Sequence, residues 1–492
     1  MSETKETPNQ ATPKKKGSKR IGWIVAAIAV TAVVTAGITW LLTNILQRMN
    51  EAHEPFTKVV ELTEDTYDPA VWGQNFPKQY ESYLRTSQMS ATTHGGIHTQ
   101  EQEATEGDPR TVIPTSRIEE DPRLVQMWKG YPFATDYRHA RGHAYMLEDQ
   151  LYTLRVRNFQ QPGACLNCHA STVPIMKQLG NGDMQAGFDE MNKTPYLEVA
   201  QLAEHPVGCI DCHDPQTMEL RIKRPALIEG LKNLKASQGI ADYDVNRDAT
   251  RQEMRTYVCA QCHVEYYFAG EGKTLTFPWN NGIHIDQIFQ RYQDIGFRDW
   301  THETTGAQVL KAQHPEFDIW SNSVHAANGV SCADCHMPYT RDGATKVTDH
   351  HIQSPLNNVN SSCMTCHHST EQEMKDRVVA IQDQYIGTRD QTFDSLVELI
   401  KGIEAAEANG VSEDRINLAR EYQNKASFYL DYVYSENSNG FHAPAYVQTI
   451  LADSLDASRK GLLVLQDGVD PASLEPSDIT KANEAEAGER GN

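Results

Sequence analysis

Five C-x-x-C-H motifs use all ten cysteines of this 492-residue chain: Cys165, Cys168 and His169; Cys209, Cys212 and His213; Cys259, Cys262 and His263; Cys332, Cys335 and His336; and Cys363, Cys366 and His367. In that pattern two thiolates add across the vinyl groups of a haem and the following histidine ligates the iron, so each motif is an attachment site for haem c. Chance would supply one such motif in on the order of one chain per hundred of this composition. Five, with no cysteine left over, mark a pentahaem cytochrome c. Zinc is the competing use of C-x-x-C, but it needs paired half-sites of comparable spacing. First-cysteine spacings of 44, 50, 73 and 31 residues offer neither such pairs nor a tandem repeat.

Ahead of the motifs, Lys14, Lys15, Lys16, Lys19 and Arg20 precede an uncharged apolar run from Ile21 to Leu46. That run is long enough to cross a bilayer as one helix, and the basic cluster on its N-terminal side keeps that end in the cytoplasm. Residues 1–20 are therefore expected to be a cytoplasmic basic tail and 21–46 a transmembrane anchor. The rest then lies on the extracytoplasmic, periplasmic face of the cytoplasmic membrane, where haem attachment is completed. A cleaved signal sequence is the alternative, but its apolar core is shorter, and Gln47-Arg48-Met49-Asn50 shows no small-residue cleavage pattern. The net charge of -21 argues against nucleic acid as a partner.

Length alone would allow two or three ordinary domains after the anchor. Five haems would supply much of the apolar core themselves, so one continuous, mainly α unit is expected: an irregular N-terminal lobe over 51–164, a compact pentahaem core over 165–368 and long helices over 369–465. Thr370 to Glu373 reads as a capping box, and Met374, Val378, Ile381 and Tyr385 follow at helical spacing. That helix runs to the stop at Asn409-Gly410. A second is expected from Ser412 to the Asn437-Ser438-Asn439-Gly440 break and a third over Ala443 to Leu465, with 466–492 a disordered tail. Helices of this length extending past the cofactor region are expected to form the seam of a homodimer.

Ten axial histidines would saturate five irons, and the motifs supply five. Fourteen other histidines remain of the nineteen in the chain. Counting alone neither selects among them nor tells whether one iron keeps an open face, which separates an enzyme from an electron carrier.

The segments between the motifs resemble those of the pentahaem, ammonia-forming cytochrome c nitrite reductases. The resemblance covers about residues 65 to 465. It rests on Trp72-Gly73-Gln74-Asn75-Phe76-Pro77, Asp121-Pro122-Arg123-Leu124-Val125 through Tyr131-Pro132-Phe133, Arg141-Gly142-His143, Thr153-Leu154-Arg155, Cys259 through Tyr266, Lys311-Ala312-Gln313-His314, Thr348-Asp349-His350 and Gly440-Phe441-His442. In that family the first haem is catalytic and its motif normally ends in lysine. Here it ends in His169, as in family variants with a histidine motif. The resemblance implies His169 as proximal ligand of an open-faced iron, with Arg155, Tyr266 and His314 in the distal pocket. These types suit the task, since a guanidinium holds an anion while histidine and tyrosine move protons. It further implies Ca2+ held by the Glu265 carboxylate, the Tyr266 and Lys311 carbonyls and the Gln313 side chain, an all-oxygen set fit for a hard cation. Distal ligands would be His143 for the third haem, His325 for the fifth, His350 for the second, with His351 as the neighbour one residue away, and His442 for the fourth.

The function so implied is six-electron reduction of nitrite to ammonium, with hydroxylamine also reduced, four bis-histidine haems relaying electrons, and a membrane multihaem quinol-oxidising cytochrome as donor. The alternatives are a pentahaem electron-transfer cytochrome with every iron six-coordinate, or a multihaem enzyme acting mainly on hydroxylamine or sulfite.

Overall fold

The computed structural model describes residues 18–51, 58–88, 90–343 and 345–474. The basic tail expected over 1–20 lies outside them up to residue 17, and so does the stretch 475–492 of the expected disordered tail. Contacts divide the chain into two units. One holds the N-terminal helix together with Arg341–Val347; the other holds Val59–Thr340 and the chain from Thr348 onward.

The N-terminal helix α1, Ser18–Glu51, contains the apolar span Ile21–Leu46, long and apolar enough to cross a membrane, with none of its most apolar window buried. A helix satisfies its own backbone, as a lipid interior demands. Two threonines within the span do the same: the Thr31 hydroxyl donates to the Ala27 carbonyl at 2.9 Å and the Thr43 hydroxyl to the Thr39 carbonyl at 2.6 Å.

In the second unit, prolines and glycines hold the elements before residue 370 to short pieces, and strands occur as small antiparallel pairs such as Tyr267–Ala269 with Thr274–Thr276. Among the short helices, α2 is Leu154–Arg157, α3 Val173–Leu179 and α4 Met184–Lys193. The last two cross so closely that a Cβ on Gly187 would lie 1.7 Å from the Met176 carbonyl oxygen, which only glycine permits. The third motif ends a helix, α5 (Arg251–Ala260), opened by a Thr250/Glu253 capping box.

Beyond the motifs the chain changes character. Helices α6 (Glu371–Ala408), α7 (Glu413–Tyr434) and α8 (Pro444–Val464) fall where periodicity and caps place them. The capping box forms, with the Thr370 amide donating to the Glu373 carboxylate at 2.8 Å and the Glu373 amide to the Thr370 hydroxyl at 3.2 Å. Leu399 and Ile403 from α6, Ile416 and Ala419 from α7, and Val464 from α8 make one core. The tail expected to be disordered from 466 is structured as far as 474. Leu474 packs on that core, and Arg415 donates to the carbonyls of Val464, Gln466 and Val469.

Candidate functional site

All five motifs open onto a single cavity of about 1870 Å³, lined by both cysteines of each, from Cys165 and Cys168 to Cys363 and Cys366. That is about twice the upper size of a site for one small molecule, so it has room for several large cofactors. Neighbouring cysteines order the motifs along it. Cys168 of the first adjoins Cys262 of the third, Cys259 adjoins Cys332 of the fourth, and Cys335 adjoins Cys363 of the fifth; Cys212 of the second lies beside Cys262. The spatial order is first, third, fourth, fifth, with the second beside the third.

Four motif histidines face a second imidazole. Ring centres are 6.3 Å apart for His263 and His143, 6.3 Å for His213 and His350, 6.2 Å for His336 and His442, and 6.4 Å for His367 and His325. An imidazole nitrogen lies about 1.1 Å from its ring centre and bonds a metal at about 2 Å, so an ion between two rings sets their centres about 6.2 Å apart. The donor set fits haem iron at these four places. His351 is not opposite His213; its ring bonds the Gln353 side chain instead.

Burial pushes His143, His336 and His350 to about 4 and His169 to about 3, leaving neutral imidazoles whose ring nitrogens are available to a metal. His263 and His442 depart from this. Burial would lower them too, but Glu316 raises His263 to about 9 and Glu436 raises His442.

Among the described residues His169 has no counterpart ring. Its Nδ1 donates to the Met146 carbonyl at 3.1 Å, and after burial the groups depressing its protonation include Arg155 and His314. Tyr266 lies beside Cys165 and Cys168 of the same motif, and burial raises its hydroxyl well above the usual range. The residues expected around the first motif are thus brought together there.

Arg155 sits on α2, whose start is fixed by Asp136: the Thr153 hydroxyl and the Leu154 amide both donate to its carboxylate at 2.8 Å. The guanidinium donates to the Asp136 carbonyl and the Gln150 side-chain oxygen, each at 3.2 Å, and lies 4.6 Å over the Phe133 ring centre. These partners are neutral, so the positive charge stays available to an anion. Arg157 turns elsewhere, to the carbonyls of Leu151 and Gly107. On the ring of Phe133 lies a second cation, Lys311 Nζ, at 4.9 Å.

Glu265 is fully buried. It accepts from the Gln313 amide at 2.8 Å and the Tyr292 hydroxyl at 2.9 Å, and burial raises its pKa well above the carboxylate range. Its cationic neighbour Lys311 is committed to Asp431 at 3.0 Å, while the Lys311 carbonyl accepts from Gln313 Nε2 at 3.2 Å. A buried carboxylate with neutral partners beside carbonyl oxygens fits a hard cation.

Sequence reasoning missed the groups behind the ring nitrogens: the Met146 carbonyl, Glu316 and Glu436. Glu316 stands two residues after His314 and Glu436 six before His442, but nothing in that spacing says that either reaches a ring.

A family model described as cytochrome c552 matches residues 68–491. Cytochrome c-552 of Parabacteroides distasonis is 34% identical over 461 residues, covering 92% of this chain and 86% of that protein. A cytochrome c nitrite reductase subunit NrfA of Nitratidesulfovibrio vulgaris is 34% identical over 480 residues, covering 90% and 85%. Among solved structures, the cytochrome c nitrite reductase of Desulfovibrio desulfuricans, described for two calcium sites in its catalytic subunit NrfA, superposes with a TM-score of 0.71 at 30% identity, covering 87% of this chain and 91% of that one.

Proposed function

The chain belongs to the cytochrome c552 family and is a cytochrome c nitrite reductase, and from that premise we propose that it takes nitrite through six electrons to ammonium at the first motif. The observation that carries this is the contrast among the motif histidines: four face a second imidazole at iron-bridging distance, while His169 shares its surroundings with Arg155 and His314. Haem c held at the five motifs would supply the redox chemistry, four of the sites offering two histidines each and the first offering His169 alone. His143, His350, His442 and His325 would be the second histidines of the third, second, fourth and fifth sites, and His169 would hold the first in place of the family's usual lysine.

The protein's own groups do the rest. Arg155 binds the nitrite oxygens and stabilises negative charge as the N–O bonds break. His314 and Tyr266 hold and deliver the protons with which the oxygens leave as water. Neutral His314 has one donor and one acceptor nitrogen, so it can pass a proton without a stable charge. Glu265, the Tyr266 and Lys311 carbonyls and the Gln313 side chain would hold calcium, which would fix Tyr266 and His314 and add positive field. Hydroxylamine enters the same pocket. The apolar N-terminal helix anchors the protein to the periplasmic face of the membrane, a membrane multihaem quinol-oxidising cytochrome feeds it, and the long helices pair two copies.

The oxidised holoprotein tests this reading. Its spectrum should contain one high-spin haem in five, perturbed by nitrite. Five low-spin haems would instead mark an electron carrier.

A further inference from the structure

Six proposed iron-ligating imidazoles have a described contact at Nδ1, and they fall into two chemical classes. Four donate to backbone carbonyls: His169 to Met146 at 3.1 Å, His213 to Met218 at 2.9 Å, His336 to Gln353 at 3.0 Å and His350 to Thr348 at 3.0 Å. The other two face carboxylates. His442 Nδ1 is 2.5 Å from Glu436 Oε1, and His263 Nδ1 is 3.7 Å from Glu316 Oε2, too far for a direct hydrogen bond but close for charge. The Glu436 side chain is fully buried and that of Glu316 is 10% exposed, so water screens neither.

One turn holds both anions. Asn437 Nδ2 donates to Glu316 Oε1 at 2.5 Å, while the Ser438 amide and hydroxyl donate to the two Glu436 oxygens at 2.9 and 2.8 Å. The Ser438 hydroxyl also accepts from the His442 amide at 2.9 Å. A site tied in this way from neighbouring residues is a built feature of the fold, and it serves the third and fourth motifs, the two at the centre of the spatial order.

We propose that Glu316 and Glu436 are positioning residues that lower the reduction potentials of the third and fourth haems, through His263 and His442 respectively. An anion behind a ligating imidazole makes the ring a stronger donor, and it favours ferric iron, which carries one more positive charge than ferrous. The third motif adjoins the first, so the centre next to the catalytic one would become a stronger donor to it. Carbonyl-backed centres elsewhere lack this bias. The inference rests on the ligand reading above.

Potentiometric titration of the holoprotein, followed by absorbance and low-spin electron paramagnetic resonance, tests it with Glu316→Gln and Glu436→Gln. Each is expected to raise the ferrous-to-ferric ratio of one low-spin haem at least tenfold at fixed potential, a shift of about 59 mV for one electron. The two variants should move different haems. Glu316→Asp and Glu436→Asp, which keep the charge, should return toward the wild-type midpoint, as a merely structural role would not require. Each site is read independently, so a variant that fails to load haem leaves the other to decide. Four low-spin haems in the wild type with unchanged midpoints in haem-loaded Gln variants would overturn the proposal alone. A wild type without four low-spin haems would overturn the ligand reading, and the proposal with it.

Discussion

Lys311 and Asp431 form an ion pair of 3.0 Å in which each side chain is only 1% exposed. The pair ties the loop carrying Gln313 and His314 to the helix Glu413–Tyr434, so the proposed distal pocket is fastened to the long-helix bundle. Asp431 also accepts from the Ala312 amide at 3.1 Å and Trp128 Nε1 at 3.2 Å. Removing its charge strands a buried ammonium. Asp431→Asn is therefore expected to cost about 3–5 kcal/mol, read as a lower denaturant midpoint of the holoprotein. A change below about 1 kcal/mol would show that Lys311 finds another partner.

Arg155 keeps neutral partners and is proposed to spend its charge on the substrate. Arg155→Ala should lower nitrite kcat/KM by roughly 10²- to 10³-fold with haem content intact. Arg155→Lys should recover part of this, since an ammonium is a point charge without the planar fork. Steady-state kinetics on haem-quantified protein provide the check, and wild-type turnover in the alanine variant would remove Arg155 from the mechanism.

Burial holds His314 at about 4, so it is neutral near pH 7. An anion arriving beside it favours the protonated ring and raises that value. Nitrite binding to the oxidised protein should then take up a proton, tightening by up to about tenfold per pH unit as pH falls from the raised value toward about 4, and level at higher pH. Spectrophotometric titrations across that range read the slope. His314→Gln should flatten it.

Among the described residues Glu265 has no ion pair of its own, Lys311 beside it being committed to Asp431, which makes it the anchor of the proposed calcium. Glu265→Gln keeps the shape and the neutral contacts but removes the charge. The variant should lose its metal by elemental analysis and most of its nitrite turnover. Chelation should do the same to the wild type, reversibly on adding calcium, whereas calcium should not rescue the variant.

The parts that follow from local rules are legible in the sequence itself. Motif spacing identifies the haem sites because covalent attachment is local in sequence. The helix Glu371–Ala408 starts at Thr370 because a cap acts over one turn. Pairing at a distance is not legible in that way. Counting histidines leaves fourteen candidates, and only family resemblance singles out His143, His325, His350 and His442. Between His350 and His351 a slip of one residue decides, and the geometry puts His350 opposite His213. Glu316 and Glu436 escape altogether, since a carboxylate reaches a ring through the path of a turn and not through any spacing rule. The expectation of disorder from 466 fails where Arg415 collects three carbonyls at and beyond Val464, because a low-hydrophobicity segment can still be held by one donor cluster.

Six-electron reduction of nitrite is proposed at an iron held by His169. Its most direct test is ammonium formed per nitrite consumed by the purified holoprotein with a low-potential viologen donor. A ratio near one is expected. Nitrite left unreduced by fully haem-loaded protein would contradict it.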